Sequence, residues 1–234
     1  MRIGVDYYPE QWDRSLWEKD AELMAKTGVR VVRIGEFAWS KLEPRDGQFD
    51  FGWLDEIIGI FERFSIGVVM CAPTNCPPLW FYKAHPEAIQ IGPDGKQIQT
   101  GIRGHRCINS PVFLAYAKRI TEQLIRRYDG RKIIVAWQLD NELEAYPCTC
   151  EVCRQKFRSW LSDRYDNIEN VNKAFGNSVW SLEYSDFDEV EPPTAYPQAW
   201  QNPALCMDWY RFRNDCLYSY VKELSIVIRK EDPK

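Results

Sequence analysis

Short apolar segments alternate with longer amphipathic ones through residues 2–139, and this alternation restricts the chain to few folds. Apolar, β-branched patterns predict four strands, over Arg2–Tyr8, Val29–Glu36, Ile66–Ala72 and Ile133–Leu139. Helical periodicity predicts the intervening helices, over Ser15–Thr27, around Leu54–Phe61 and over Ser110–Asp129. Strands separated by helices of this length indicate βαβ units, and therefore a parallel sheet with right-handed crossovers.

Two architectures are compatible with such a pattern. A doubly wound sheet usually has a glycine-rich phosphate loop after its first strand, whereas the segment DYYPEQW at Asp6–Trp12 has no glycine. We therefore expect a (β/α)8 barrel of the TIM type, which needs about 250 residues and eight strands. Only four strands are predicted, so we expect roughly the first half of a barrel. Further helices are predicted over Val152–Tyr165, Ile168–Phe175 and Ala204–Lys230.

Composition excludes several classes of protein. The 234 residues are 45% hydrophobic and 27% charged, which is typical of one soluble globular domain. The net charge is −4 and the basic residues are scattered, so we expect no nucleic-acid partner. No run reaches the roughly 18 apolar residues of a membrane span, and the start lacks the features of a signal peptide. We therefore expect a cytoplasmic protein whose eight cysteines stay reduced.

Acidic residues stand at the ends of two predicted strands. Glu36 ends the second strand, and Glu142 follows the fourth. The carboxyl ends of barrel strands are where such folds carry catalysis, so both glutamates are candidate catalytic residues. Either could equally be a surface charge just past a strand, and position alone does not decide between these interpretations.

Several blocks of sequence occur in an order that points to one enzyme family. They are DYYPEQW, RIGEFAWSKLEP, FDFGWLD, APTNCPPLW, HPE, the G-x-R-x-H-x-C-x-N-S-P stretch of Gly101–Pro111, WQLDNE at Trp137–Glu142, and VWSLEYSDFDEV. In these blocks the chain resembles the family 42 glycoside hydrolases, enzymes of the β-galactosidase type. The resemblance implies a retaining mechanism with Glu142 as the acid/base catalyst. In this family the nucleophile comes from the seventh strand, so we expect the 234-residue chain alone to be inactive.

The resemblance also implies roles for other residues. Asn141 would hydrogen-bond the sugar 2-hydroxyl, and Arg103 would donate to sugar hydroxyls or to the catalytic carboxylates. Glu36 would bind a hydroxyl or support the residues that do, and Trp180 would form a stacking wall for the sugar. Each also has a plainer interpretation, as a strand-end turn residue, a solvated loop arginine or a structural side chain.

The cysteines include one cluster. Cys148, Cys150 and Cys153 lie too close in sequence for comfortable mutual disulfides, and Cys107 lies near Arg103. Four thiolates suit a closed tetrahedral zinc site, which is structural because it has no open position. The resemblance implies that these positions hold zinc in some family members; four unligated thiols are the alternative. Four further cysteines are interpreted as buried or loop thiols, namely Cys71, Cys76, Cys206 and Cys216.

These observations predict that residues 1–234 form the amino-terminal part of a catalytic domain, with a zinc loop near residues 148–153. The predicted enzyme is a retaining β-galactosidase acting on a small carbohydrate, and the resemblance implies a homotrimer. An α-L-arabinopyranosidase or another glycosidase of the same clan is the first alternative, and a non-catalytic fragment is the second. Gly104 and Leu143 stand where the family often has arginine and tyrosine, which affects substrate preference more than reaction type.

Overall fold

A four-stranded parallel sheet organises the chain in this computed structural model, which describes residues 3–144, 146–194 and 200–232. Its strands are β1 (Ile3–Asp6), β2 (Val29–Ile34), β3 (Gly67–Cys71) and β4 (Ile134–Gln138). They neighbour one another in chain order, and every pairing is parallel. The four predicted strands and their βαβ connection are thus confirmed. Arg2, in the first predicted strand, lies outside the described residues.

Eight α-helices accompany the sheet within the described residues. They are α1 (Arg14–Lys26), α2 (Trp39–Leu42), α3 (Gly52–Arg63), α4 (Leu79–Ala84), α5 (Pro111–Tyr128), α6 (Glu151–Tyr165), α7 (Ile168–Phe175) and α8 (Pro203–Glu231). Short 3-10 segments lie at Pro9–Gln11, Pro86–Ala88, Val179–Ser181 and Phe187–Glu189. The six longer helices match the predicted ones, whereas the short α2 and α4 were not predicted. Among the described residues, no helix is both long enough and apolar enough to cross a membrane.

Helix α5 shows how local sequence fixes an element. The side chain of Ser110 caps the helix by accepting a hydrogen bond from the backbone N–H of Phe113, and Pro111 occupies the first turn. Its apolar positions recur at helical spacing and are fully buried: Phe113, Ala117, Ile120 and Leu124. The helix therefore packs one face into the core and ends close to the predicted position.

The two faces of the sheet have different environments. Alternate residues of β2 and β3 point towards the helices and are inaccessible to solvent, namely Val32, Ile34, Val68 and Met70. The residues between them, such as Val31 and Val69, are only partly buried, and Val135 of β4 is 49% exposed. This period of two shows that helices cover one face and leave the other open. In a closed barrel, the open face would line the interior.

A second hydrophobic core lies beside the sheet. Helices α6 and α7 pack there against the first half of α8, through residues that include Phe157, Val171, Trp209 and Phe212. The second half of α8 contributes Tyr220 and Leu224 to the main core around the sheet. Helix α8 therefore contributes residues to both cores and connects them.

We predict that the 234-residue chain self-associates in solution. Within the described residues, β1 and β4 each have a strand neighbour on one side only, and the open face presents Val135 to solvent. Unpaired strand edges and exposed apolar faces favour association with further copies. Sedimentation velocity at micromolar concentration measures this. Val135→Lys should reduce association, whereas Val179→Lys should not, because Val179 is similarly exposed but lies away from the sheet. A monomeric wild-type chain would contradict the prediction.

Candidate active site

The carboxyl ends of β2 and β4 bring two glutamates to the same edge of the sheet. Gly35 follows β2 with a positive φ of 84°, which turns the chain and places Glu36 at the edge. Beyond β4, Glu142 also has a positive φ, 44°, a conformation that non-glycine residues rarely adopt. Such backbone strain persists only where the surrounding structure enforces it, and it is concentrated at functional sites.

The carboxylate of Glu142 is the accessible one. Its side chain is 62% exposed and forms an ion pair with Arg103, with Nη1 of the arginine 3.0 Å from Oε2. The guanidinium of Arg103 also lies over the ring of Phe37, at 5.9 Å from the ring centre. An ion pair this exposed contributes little net free energy. A ligand can therefore replace either partner at small cost, which suits residues that bind and react with a substrate.

Asn141 is buried, yet its side-chain amide is not fully satisfied. Its Nδ2 atom has no hydrogen-bond partner among the described residues. The backbone of the same residue is fully engaged: Asp140 Oδ1 accepts from the N–H at 2.6 Å, and Asn75 Nδ2 donates to the carbonyl at 2.9 Å. A buried donor without a partner costs about 1–3 kcal/mol. A hydroxyl oxygen on a ligand would remove this cost, so Asn141 fits a residue that binds a polar substrate.

Glu36 differs from Glu142 in being enclosed. It accepts a hydrogen bond from the hydroxyl of Tyr8 at 2.7 Å and forms an ion pair with Arg33, whose Nη2 lies 2.8 Å from Glu36 Oε2. Arg33 also pairs with Asp6 and donates to Oε1 of Gln138 at 3.0 Å, so it links β1, β2 and β4 across the open face. Burial, together with the bond to Glu36, raises the pKa of Tyr8 to about 12 and keeps its hydroxyl a donor. The arrangement fits a carboxylate that holds neighbouring side chains of the site in place.

Within the described residues, Trp180 makes no hydrogen bond, ion pair or ring contact with this group. It belongs to a 3-10 segment after α7, has a positive φ of 61°, and is 68% exposed. Among the residues that the structure describes, its indole has no hydrogen-bond or aromatic partner. Stacking of a sugar on the exposed ring of Trp180 stays a prediction.

The predicted cysteine cluster forms a compact group. The sulfur atoms of Cys107, Cys148, Cys150 and Cys153 all lie within 4.8 Å of one another. Cys107 Sγ is 3.6 Å from Cys150 Sγ and 3.5 Å from Cys153 Sγ. Four sulfurs bound tetrahedrally to zinc at about 2.3 Å would be about 3.8 Å apart. The four thiols therefore fit a zinc ion.

The surroundings of these thiols also suit metal ligands. Hydrogen bonding by the neighbouring thiols, Cys107 first, lowers the pKa of Cys150, whereas hydrogen bonding with Cys148 and Cys150 raises the pKa of Cys107. The amide of Asn109 donates to Cys153 Sγ at 3.3 Å, as residues around metal-bound thiolates commonly do. All eight cysteines are free. Of the other four, burial raises the pKa of Cys71 to about 12, which favours an unreactive thiol.

Sequence reasoning missed several residues that build the site. Arg33, Asn75, Arg106 and Asp140 were not singled out, although they hold Glu36 and Asn141 in place. One signal was available, since Arg33 and Arg30 are two charged residues within a strand whose other residues are Val and Ile. The roles of the others depend on contacts between segments far apart in the chain, which periodicity does not reveal.

Comparison with known proteins identifies the family. A sequence model of the glycoside hydrolase family 42, described as beta-galactosidase, matches residues 6–234. The chain belongs to this family. The family 42 chain is 50% identical to beta-galactosidase BgaA of Clostridium cellulovorans over 233 residues, which cover 100% of the chain and 35% of the relative. It is 39% identical over 233 residues to beta-galactosidase BgaH of Haloferax lucentense, covering 98% of the chain and 35% of that protein.

Solved structures agree with this assignment. The beta-galactosidase of the Antarctic haloarchaeon Halorubrum lacusprofundi matches with a TM-score of 0.93 and 39% identity, over 100% of the family 42 chain and 35% of that structure. This confirms that the four-stranded sheet is part of a (β/α)8 barrel. The chain spans about a third of the length of these relatives.

We predict that Arg33→Ala destabilises the protein by about 3 kcal/mol, because it leaves the buried carboxylate of Glu36 without its cationic partner. Arg63→Ala is the matched control. This substitution breaks the ion pair between Arg63 and Glu18, two side chains that are both more than half exposed. It should lower the free energy of unfolding by less than about 1 kcal/mol. Urea denaturation of both variants in the full-length protein measures the difference. Equal losses would show that the Arg33–Glu36 pair is not structurally important.

Proposed function

We propose that this chain is the amino-terminal part of the catalytic domain of a retaining β-galactosidase, in which Glu142 is the acid/base catalyst. The observation that carries the proposal is the placement of Asn141 and Glu142. In a family 42 chain, they follow the fourth strand of a half-barrel, with one free amide donor and one accessible carboxylate. The carboxyl ends of barrel strands are where this fold carries catalysis.

The proposed mechanism has two displacements at the sugar C1 atom. In the first, a carboxylate nucleophile bonds to C1 while Glu142 donates a proton to the departing glycosidic oxygen. In the second, Glu142 takes a proton from water as the water oxygen attacks C1 and releases the nucleophile. The two carboxyl groups must lie about 5–5.5 Å apart. The family resemblance assigns the nucleophile to the seventh strand, and the described residues contain four strands.

The proposed substrate is a terminal β-galactosyl group. The unpaired Nδ2 of Asn141 is suited to a sugar hydroxyl, and a bond to the 2-hydroxyl would strengthen in the transition state. Arg103 lies within 3.0 Å of Glu142 and has donors left for further oxygens. The galactosyl preference itself is supported by the names of the relatives, which are beta-galactosidases.

We also infer that Cys107, Cys148, Cys150 and Cys153 hold a structural zinc ion. Support comes from the four sulfur atoms, which lie within 4.8 Å of one another, and from the hydrogen bond that Asn109 donates to Cys153 Sγ. When bound, zinc supplies a cross-link between the loop that carries Arg103 and the segment after Glu142, and no chemistry at the sugar. Eight free thiols also favour a reducing, cytoplasmic location. A homotrimer is proposed from the family resemblance alone.

We predict that Glu142→Gln in the full-length enzyme lowers kcat/KM for alkyl β-galactosides by about a hundredfold or more, because their leaving groups need a proton. Dinitrophenyl β-galactoside should still form the glycosyl-enzyme at a near-normal rate. Added azide should restore turnover and yield β-galactosyl azide. The control Glu144→Gln changes an exposed carboxylate two residues away and should leave the rates unchanged. Wild-type rates on alkyl galactosides in Glu142→Gln would exclude Glu142 as the acid.

We predict one zinc ion per chain in protein purified without chelator, as measured by elemental analysis. Cys153→Ser should lose the metal and lower the melting temperature, since a bound metal stabilises the folded state. Cys71→Ser should keep it, although Cys71 is buried to the same extent as Cys153. A metal content near zero in the wild-type protein would contradict the zinc assignment.

A further inference from the structure

The carboxylate of Asp140 lies buried directly before the proposed catalytic pair. Its side chain has no exposed surface and accepts three hydrogen bonds. Arg106 Nη2 donates to Oδ2 at 2.7 Å, and the hydroxyl of Tyr220 donates to the same oxygen at 2.6 Å. The backbone N–H of Asn141 donates to Oδ1 at 2.6 Å. This residue therefore connects two separate parts of the chain, the loop of Arg106 and helix α8, to the end of β4.

Side chains hold the backbone at this point. The carbonyl of Asp140 accepts from Gln138 Nε2 at 2.9 Å, and the carbonyl of Asn141 accepts from Asn75 Nδ2 at 2.9 Å. The next residue, Glu142, has the left-handed conformation. Three side-chain hydrogen bonds thus hold the backbone before Glu142, whereas the amide of Asn141 and the carboxylate of Glu142 remain available to a ligand.

The two side-chain partners of Asp140 come from elements that do not form the catalytic edge. Arg106 immediately precedes Cys107 of the cysteine cluster and is as deeply buried as Asp140. Tyr220 belongs to α8, where its ring stacks on Phe113 of α5 with 6.0 Å between ring centres. Burial raises the pKa of Tyr220 well above its usual value, so its hydroxyl stays protonated and donates.

We propose that Asp140 is a positioning residue, whose carboxylate, held by Arg106 and Tyr220, fixes the backbone of Asn141 and so aims the carboxyl group of Glu142 at the glycosidic oxygen. The inference rests on the proposed role of Glu142 as the acid. It assigns Tyr220, on a distant helix, a part in proton delivery. A small displacement of an acid reduces catalysis steeply, because proton transfer requires hydrogen-bond distance to the leaving oxygen.

The test uses Tyr220→Phe in the full-length enzyme, since this variant removes one hydroxyl and keeps the ring. Tyr128→Phe is the matched control: Tyr128 is also buried and also donates to an aspartate, Asp55 at 3.0 Å, but it lies at the opposite end of the sheet, where α5 ends before β4 begins. Both variants should lose similar stability in thermal melts. Asp140→Asn is the second test variant and removes the charge that Arg106 pairs with.

The readout is the ratio of kcat/KM for an alkyl β-galactoside to kcat/KM for dinitrophenyl β-galactoside. Only the alkyl substrate needs its leaving group protonated, so displacement of Glu142 should lower this ratio. We expect a fall of about tenfold in Tyr220→Phe, a larger fall in Asp140→Asn, and no change in Tyr128→Phe.

An unchanged ratio in both Tyr220→Phe and Asp140→Asn, or an equal fall in Tyr128→Phe, would overturn the positioning role and leave the proposed function intact. A wild-type enzyme that hydrolyses neither galactoside would overturn the proposed function, and this inference with it. The outcomes are therefore distinguishable.

Discussion

Burial of one face of the parallel sheet is the constraint from which the other features follow. Val32, Ile34, Val68 and Met70 lie on this face and are inaccessible to solvent beneath a core to which α1, α3 and α5 contribute. Each fully buried side chain of this type contributes about 1.5–3 kcal/mol. Because every connection passes through a helix on that face, the strands are parallel and their carboxyl ends meet at one edge. The convergence of Glu36, Asn141 and Glu142 is a consequence of this packing.

The polar groups at that edge are divided between support and function. Glu36 and Asp140 are buried, each accepts a hydrogen bond from a tyrosine hydroxyl, and each has an arginine partner. Glu142 is instead exposed and strained, and the amide of Asn141 is unpaired. Strain and an unsatisfied donor both cost stability, and proteins retain such features where a site needs them. The buried carboxylates provide the rigid surroundings that keep these two residues in place.

Helix α8 and the cysteine cluster extend this support beyond the sheet. The first half of α8 packs in the core around the cysteines, and the second half delivers Tyr220 to Asp140. Arg106, next to Cys107, reaches the same carboxylate from the loop side. Helix α8, which lies far from β4 in the sequence, is therefore in direct contact with the end of β4. This contact connects the second core to the candidate active site.

The sequence by itself determined the elements and their order. β-Branched runs and helical periodicity predicted all four strands and the six longer helices, because burial on one face imposes a repeat that can be counted. The sequence also singled out Glu142 as the candidate acid/base catalyst and the four clustered cysteines as candidate zinc ligands. Strand-end position, motif and spacing are local features, so they can be read from the sequence. Tertiary structure alone decided that Glu142 is exposed and Glu36 enclosed, and which residues hydrogen-bond to Asp140. These outcomes depend on contacts such as the hydrogen bond between Tyr220 and Asp140, which are 80 residues apart in the chain. The local sequence around either residue gives no indication that the two are in contact.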